Sequence, residues 1–336
     1  MNWKAELAER GLLPDFIVRS GIRGLLRGRL RKADRDTAGL VRAMRRSPLA
    51  LATELANVQH YEVPAEFFRL VLGPRLKYSC CLYERGVEDL AAAEEAMLQL
   101  TCKRAGIADG MEVLDLGSGW GSVSLWIAEK YKGCKITAVS YSASQKEFIE
   151  AEAGKLGLAG IDVVTADMND FDTERRFDRI VSVEMFEHMR NYALLLERVS
   201  SWLLPRGKTF VHIFCHRDIA YFFELDGDDD WMARHFFTGG LMPSFDLLSR
   251  FPEHMVVVER WKVSGMHYAR TLRAWLDMFD ARSDQVLVLF REVYGRSQAK
   301  RWMRKWRMFF MACEELFAYR GGAEWMVGHY LLERSK

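Results

Sequence analysis

Four short groups of residues in this 336-residue chain have the types and spacing to do chemistry. The first is a D-x-G-x-G-x-G pattern made by Asp115, Gly117, Gly119 and Gly121, directly after an apolar run and before a helix-forming one. Glycines let the backbone turn tightly and let a ligand lie against it without meeting a Cβ. The spacing is one residue tighter than the dinucleotide pattern G-x-G-x-x-G. Its leading acid, Asp115, can orient the cationic amino group of an amino-acid-like ligand; a Gly-rich turn with no ligand is the plainer alternative. The second group, Ser140, Ser142, Ser144 and Gln145, stands where a ribose-binding acid would be expected, so hydroxyls and Gln145 would have to serve. The third is Asp167, with Met168 beside it, placed to accept a hydrogen bond from the exocyclic amine of a base or else to cap the next helix. The fourth is Glu184, Glu187 and His188, a titratable cluster on one turn. Carboxylates crowded in a partly apolar pocket gain raised pKa values and act as bases. A solvated helix start, with acids near its positive end, is the alternative.

These groups need elements to hold them. Short apolar runs at 113–116, 136–139, 163–164, 180–183 and 210–214 predict strands, the last after a turn at 205–207. Helical patterns lie between them at 122–131, 144–156 and 191–203. Strand–helix alternation predicts an α/β fold, an open and mostly parallel sheet with helices on both faces. In such sheets a ligand lies outside the carboxyl ends of the strands, where all four groups fall. Before this unit, residues 1–56 read as basic helices, followed by a loop with His60, Tyr61 and Pro64 and helices near 67–72 and 91–102. After it, an irregular stretch at 215–243 precedes a strand at 256–261, helices at 272–279 and 299–319, and a last strand at 325–332.

Composition narrows the function classes. Forty-eight basic residues against 46 acidic ones leave +2, too balanced for a nucleic-acid binder. Residues 1–50 are the exception, with twelve basic and five acidic side chains. Six cysteines without metal spacing predict packed thiols in a reducing compartment. The charged start and the lack of an 18-residue apolar run predict a cytoplasmic protein without stable membrane insertion. Glu224, Asp226, Asp228, Asp229 and Asp230 lack EF-hand spacing, so no metal site is expected there. That run reads as an acidic lid or a plain exposed loop. The stripe of Trp302, Trp306, Phe309, Phe310 and Phe317 reads mostly as core, with Trp306 and Phe309 able to line a pocket.

Taken together, Asp115 to Gly121, His60 and Tyr61, Tyr78 to Cys80, Phe186 to His188, and His267 with Tyr268 resemble the cyclopropane-fatty-acid-synthase-like S-adenosylmethionine methyltransferases. Within that superfamily the resemblance is to the coclaurine N-methyltransferase group, and it covers about residue 55 to the C-terminus. It implies a Rossmann-like class I methyltransferase domain at 57–336 with core 85–214, a cap at 215–250 and C-terminal elements at 251–336, behind a basic helical extension at 1–56. It implies S-adenosyl-L-methionine as cofactor, with Tyr78, Ser79, Gly117 and Gly119 at its methionine end, Ser140 and Gln145 at the ribose, and Asp167 with Met168 at the adenine. A small amine is the implied substrate. Glu187 would be its base, His188 would assist and Glu184 would anchor the ammonium form, with Tyr61 and Glu62 closing the site. His212, Phe237, Tyr268, Trp306 and Phe309 would line it, and a homodimer is a possible assembly.

Two departures from the group stand out: Ser118 replaces the usual Cys, and Lys305 stands where the alkaloid enzymes have Tyr. The alternative within the superfamily is a lipid cyclopropanase or methyltransferase. Cys80, Glu187, His212 and Tyr268 match residues that hold a bicarbonate base in that branch, and the basic residues at 19–46 would suit an anionic lipid surface. Position 184 separates the two branches, because the lipid enzymes usually have Gly there. A carboxylate at 184 repels bicarbonate and attracts an ammonium.

Overall fold

Strands rich in Val, Ile and Leu that are buried on both sides need a sheet covered above and below. The computed structural model, which describes residues 3–33, 36–51, 63–224 and 231–336, has that sheet. In chain order the strands are β1 (Glu112–Leu116), β2 (Lys135–Ser140), β3 (Ile161–Thr165), β4 (Phe177–Val183), β5 (Leu203–His216), β6 (Tyr221–Phe222), β7 (Leu241–Met242), β8 (Met255–Val263) and β9 (Trp325–Arg334). Seven of them form one sheet in the order β3-β2-β1-β4-β5-β9-β8, and β6 and β7 pair as a separate ribbon. β1 to β5 pair in parallel, while β9 runs antiparallel between β5 and β8. The chain winds outward from β1 through β2 to β3, then returns to the other side of β1 as β4. The crevice at that reversal is where an open sheet holds a ligand.

The helices are α1 (Trp3–Glu9), α2 (Asp15–Lys32), α3 (Thr37–Arg46), α4 (Ala65–Val71), α5 (Leu90–Ala105), α6 (Ser122–Lys130), α7 (Ala143–Leu156), α8 (Tyr192–Ser201), α9 (Trp231–His235), α10 (Gly265–Ala281), α11 (Ser283–Tyr294) and α12 (Ala299–Ala318). Successive strand residues serve opposite faces. Leu114, Ile180, Val211 and Leu332 join one buried cluster with α8, and Val113, Val181, Phe210 and Leu331 join another with α5 and α6. Each such side chain, taken fully from water, contributes about 1.5–3 kcal/mol. Beyond the strand ends a third cluster, dominated by aromatic rings, joins α4, α10, α11 and α12. All six cysteines are buried, unbridged thiols. Among the described residues, no helix is long and apolar enough to cross a membrane.

Among the described residues the predicted elements are present, with differences of extent; the end of the basic helical segment and the loop with His60 and Tyr61 lie outside them. The turn expected at 205–207 is part of β5. Pro205 fits because the ladder to β9 begins only at Thr209 and the pairing with β4 shifts register between Phe177 and Arg179. No donor is needed from it there. The helix expected at 272–279 extends over the whole of α10, and α11 is a helix beyond those expected. The basic α2 faces α12 with part of its arginine content: Arg19 pairs with Glu314 at 2.7 Å and Glu315 at 2.9 Å.

α10 reaches the sheet through Gly265, where an added Cβ would overlap the carbonyl oxygens of Trp325 and Phe317. Both are backbone atoms and cannot step aside cheaply. Gly265→Ala is therefore expected to cost about 3 kcal/mol, the upper range for overpacking, and thermal unfolding would register it as a clear loss of Tm.

Candidate active site

The glycine loop after β1 is shaped by two contacts. The N–H groups of Gly117 and Ser118 both donate to the Val139 carbonyl, at 3.1 and 2.9 Å, which fastens the loop to β2. A Cβ on Gly117, whose φ is +89°, would stand 2.7 Å from Met185 Cβ, so the loop lies directly against the turn after β4. Gly119 is different: at φ +52°, a Cβ there would meet nothing within 4 Å, because the position faces open space. That space is a cleft of about 640 Å³ lined by Gly117, Gly119, Ser140, Gln145, Asp167, Met168, Glu184 and His188, among others.

Asp115 does not line that cleft. It is buried and accepts a 2.6 Å hydrogen bond from Ser124 Oγ, which ties the loop to the first turn of α6. Burial pushes its carboxyl up to about 6 in spite of that bond. At the end of β2, Ser140 Oγ donates to Gln145 Oε1 at 2.5 Å. An amide whose oxygen is taken still donates through its NH₂. At the end of β3, Asp167 Oδ1 accepts from Asn169 N at 2.8 Å. It caps a turn rather than a helix, and it lines the cleft as well.

The acids lie deeper. Glu184 follows β4 at φ +51°, a left-handed conformation that costs a non-glycine residue about 1–3 kcal/mol. Its N–H still donates to the His212 carbonyl at 2.9 Å, continuing the ladder to β5 while its side chain turns inward. Glu187 sits in the 3-10 turn Phe186–His188 and is buried. The two carboxyls lie close enough for a charge on Glu187 to disfavour one on Glu184. Burial raises both values, Glu184 well above the carboxylate range and Glu187 to about 8. Two acids this close do not both ionise at neutral pH, so the pair holds at least one proton there. Glu184 Oε1 lies 3.2 Å from His212 Nε2, out of hydrogen-bonding alignment, and Glu187 Oε2 has no hydrogen-bond partner among the described residues. His188 Nε2 stands 4.0 Å from Glu187 Oε1.

Around the acids the lining is aromatic. Phe237 stacks on His188, centroids 6.2 Å apart, and on Phe223 at 5.4 Å. Tyr268 stacks on Phe317 at 4.3 Å and faces Glu184 and Cys80 closely enough for their charges to help burial raise its phenol. Phe309 stacks on Phe236 at 4.3 Å. Trp306 lies one layer back, fully buried against Phe67 and Phe236. Tyr78 packs between Phe68 and Trp275, and Ser79 accepts from Lys77 Nζ at 2.5 Å. Lys305 points elsewhere: its Nζ lies 3.5 Å from His235 Nδ1 and it faces Glu9. Tyr61, Glu62 and the acidic residues Asp226, Asp228, Asp229 and Asp230 lie outside the described residues. Buried Lys77 lies near Glu184, and half-buried Arg104 with buried His329 lies behind His212, none of them marked by a motif in the chain.

Residues 51–323 match the family model described as mycolic acid cyclopropane synthetase. The chain belongs to this family. It is 38% identical to (S)-coclaurine N-methyltransferase of Thalictrum flavum subsp. glaucum, over 97% of this chain and 94% of that one. It is 29% identical to cyclopropane-fatty-acyl-phospholipid synthase of Escherichia coli K12, over 81% of this chain and 67% of the relative. The crystal structure of a coclaurine N-methyltransferase bound to N-methylheliamine and SAH matches with a TM-score of 0.94 and 36% identity, covering 98% of each chain. Similarity to the N-methyltransferases thus reaches past residue 55 into the basic N-terminal helices. The protein is an S-adenosylmethionine-dependent methyltransferase with the Rossmann-like sheet of that class.

The residues present fit that cofactor. Gly119 leaves its Cβ position open to the cleft, and hydroxyl, amide and carboxylate groups follow in order along its wall. Gly119→Val would fill that opening with a branched side chain and add backbone strain of about 1–2 kcal/mol. Calorimetric titration should show S-adenosylmethionine affinity collapsing while circular dichroism still reports a folded sheet. Unchanged affinity would place the cofactor elsewhere.

Proposed function

We propose that this methyltransferase acts on the nitrogen of a small, tetrahydroisoquinoline-like or other alkaloid-type amine. The observation that carries the reading is Glu184 itself, a carboxylate held in a left-handed backbone beside Glu187 inside an aromatic pocket. A lone acid pair buried among rings costs solvation energy that a cationic ligand returns. The identity to plant N-methyltransferases over nearly the whole chain supports the same reading.

In this reading Tyr78, Ser79, Gly117 and Gly119 hold the methionine end of the cofactor, Ser140 and Gln145 the ribose, and Asp167 and Met168 the adenine. When bound, the cofactor supplies an electrophilic sulfonium methyl. Asp115 acts at one remove, by fixing the loop to α6. Phe237, Tyr268 and Phe309 enclose the amine, and Trp306 supports the wall from behind. Glu184 anchors the ammonium. An amine largely protonated at neutral pH must lose a proton before its lone pair can attack, and Glu187 takes it, with His188 beside it. Positioning of the reacting atoms does most of the remaining work.

The lipid branch shares Cys80, Glu187, His212 and Tyr268, so the two carboxylates decide the test. Glu187→Gln keeps the size and removes the basicity; turnover on amines should fall about 10²–10⁴-fold with little change in cofactor affinity. Glu184→Gly relieves the backbone strain but removes the anchor, so the amine KM should rise. If wild-type activity requires added bicarbonate, and Glu184→Gly improves transfer to unsaturated phospholipid, the amine reading fails.

Stability carries an independent signature. The raised value of Glu187, near 8 against an ordinary 4.5, means the folded state holds this proton more tightly than the unfolded chain. Stability is therefore lost as pH climbs through that window. Glutamine does not titrate, so Glu187→Gln should gain Tm relative to wild type between about pH 5 and about pH 8.5. A pH-independent difference would show that Glu187 ionises normally.

A further inference from the structure

Behind Glu184 the structure holds a line of polar contacts that the mechanism does not use. Arg104 Nη1 lies 2.7 Å from His329 Nδ1. His329 Nε2 lies 2.8 Å from His212 Nδ1, and His212 Nε2 faces Glu184 Oε1 at 3.2 Å. The two histidines stand opposite each other across the antiparallel β5–β9 ladder, and both are fully buried. Arg104 comes from α5 and is steadied over the Trp261 ring, 4.8 Å from its centroid.

The direction of each bond follows from the end of the line. A guanidinium has only donors and keeps its proton in proteins. Its bond to His329 can form only if His329 Nδ1 is bare. Burial, with the charges of Arg104 and Lys77 nearby, drives both histidines well below their usual range, so each carries a single ring hydrogen. That of His329 must sit on Nε2, where it donates to His212 Nδ1, which leaves the hydrogen of His212 on Nε2.

We propose that Arg104 and His329 are positioning residues that lock His212 in the Nε2–H tautomer, its protonated nitrogen on the side of the ring nearest Glu184. His212 then cannot take a proton from Glu184, because its other nitrogen already accepts from His329. Arg104 cannot pass a proton onward either. The line is a lock and not an exit, so a proton received by the acid pair leaves on the side of Glu187 and His188, the latter 18% exposed. The lock stands on geometry alone; its effect on turnover rests on the amine reading.

The full-length protein, labelled with ¹⁵N-histidine and assigned by replacing histidines singly, gives the test by long-range ¹H–¹⁵N correlation without any substrate. His212 and His329 should both show a protonated Nε2 and a bare Nδ1. Arg104→Met removes the donor, so His212 should populate a second tautomer. Its amine kcat should fall about 10–100-fold, the range for losing a group that orients an imidazole, with the KM for S-adenosylmethionine unchanged. Arg104→Lys retains a donor and should restore both the tautomer and most of kcat. A protonated Nδ1 on His212 in the wild type, or an unaltered tautomer in Arg104→Met, overturns the lock. Should the tautomers be as stated while the wild type methylates no amine, the amine reading falls and the lock stands.

Discussion

A side chain at residue 117 would push the loop after β1 away from the turn after β4, and the site depends on those two turns touching. Met185 lies against the bare Cα of Gly117. One side of this contact opens as the cleft beside Gly119, and the other turns Glu184 inward. A sheet that reverses its winding at β1 leaves a crevice between the neighbouring β1 and β4 ends. The glycine sets how narrow that crevice is, and hence how near the acids stand to whatever the loop holds.

Holding two carboxyls there is costly. Glu184 occupies a backbone conformation in which glycine would be unstrained, Glu187 is buried, and the Glu184 side chain keeps only 9% exposure at the cleft. The surroundings compensate in part: the pair retains a proton at neutral pH, Lys77 lies near enough to lower the cost of charge on Glu184, and the peptide N–H of Glu184 keeps its ladder bond to His212. Strain and desolvation gathered on one residue are characteristic of functional sites. A residue serving only the fold would relax to glycine at no loss.

The N-terminal helices take part in enclosing the site. Glu9 in α1 accepts a 2.9 Å hydrogen bond from Trp231 Nε1 in α9 and pairs with Arg301 of α12 at 2.6 Å. α9 leads to Phe236 and Phe237, which stack on Phe309 and His188. The first helix of the chain therefore helps set where the aromatic wall stands. Lys305 is drawn into this network, with Glu9 and His235 as neighbours, which accounts for its pointing away from the acids.

The sequence by itself determined the strand–helix alternation, because runs of β-branched residues between amphipathic helices have few other ways to bury themselves. It also determined the glycine loop and the acid turn, because both are local: their residues lie within seven positions of one another and follow strands. Tertiary structure alone decided what each group faces. Asp115 belongs by spacing to the glycine pattern, yet packing turned its carboxylate to Ser124 and α6. Trp306 and Phe309 share one helix face, yet only a neighbouring ring from the cap determines which stands in front. The line from Arg104 through His329 and His212 to Glu184 joins α5, β9, β5 and the end of β4, with Arg104 and His329 225 positions apart. Hydrogen-bond partners brought together by strand register leave no spacing in the chain, so such a line becomes visible only once the sheet is formed.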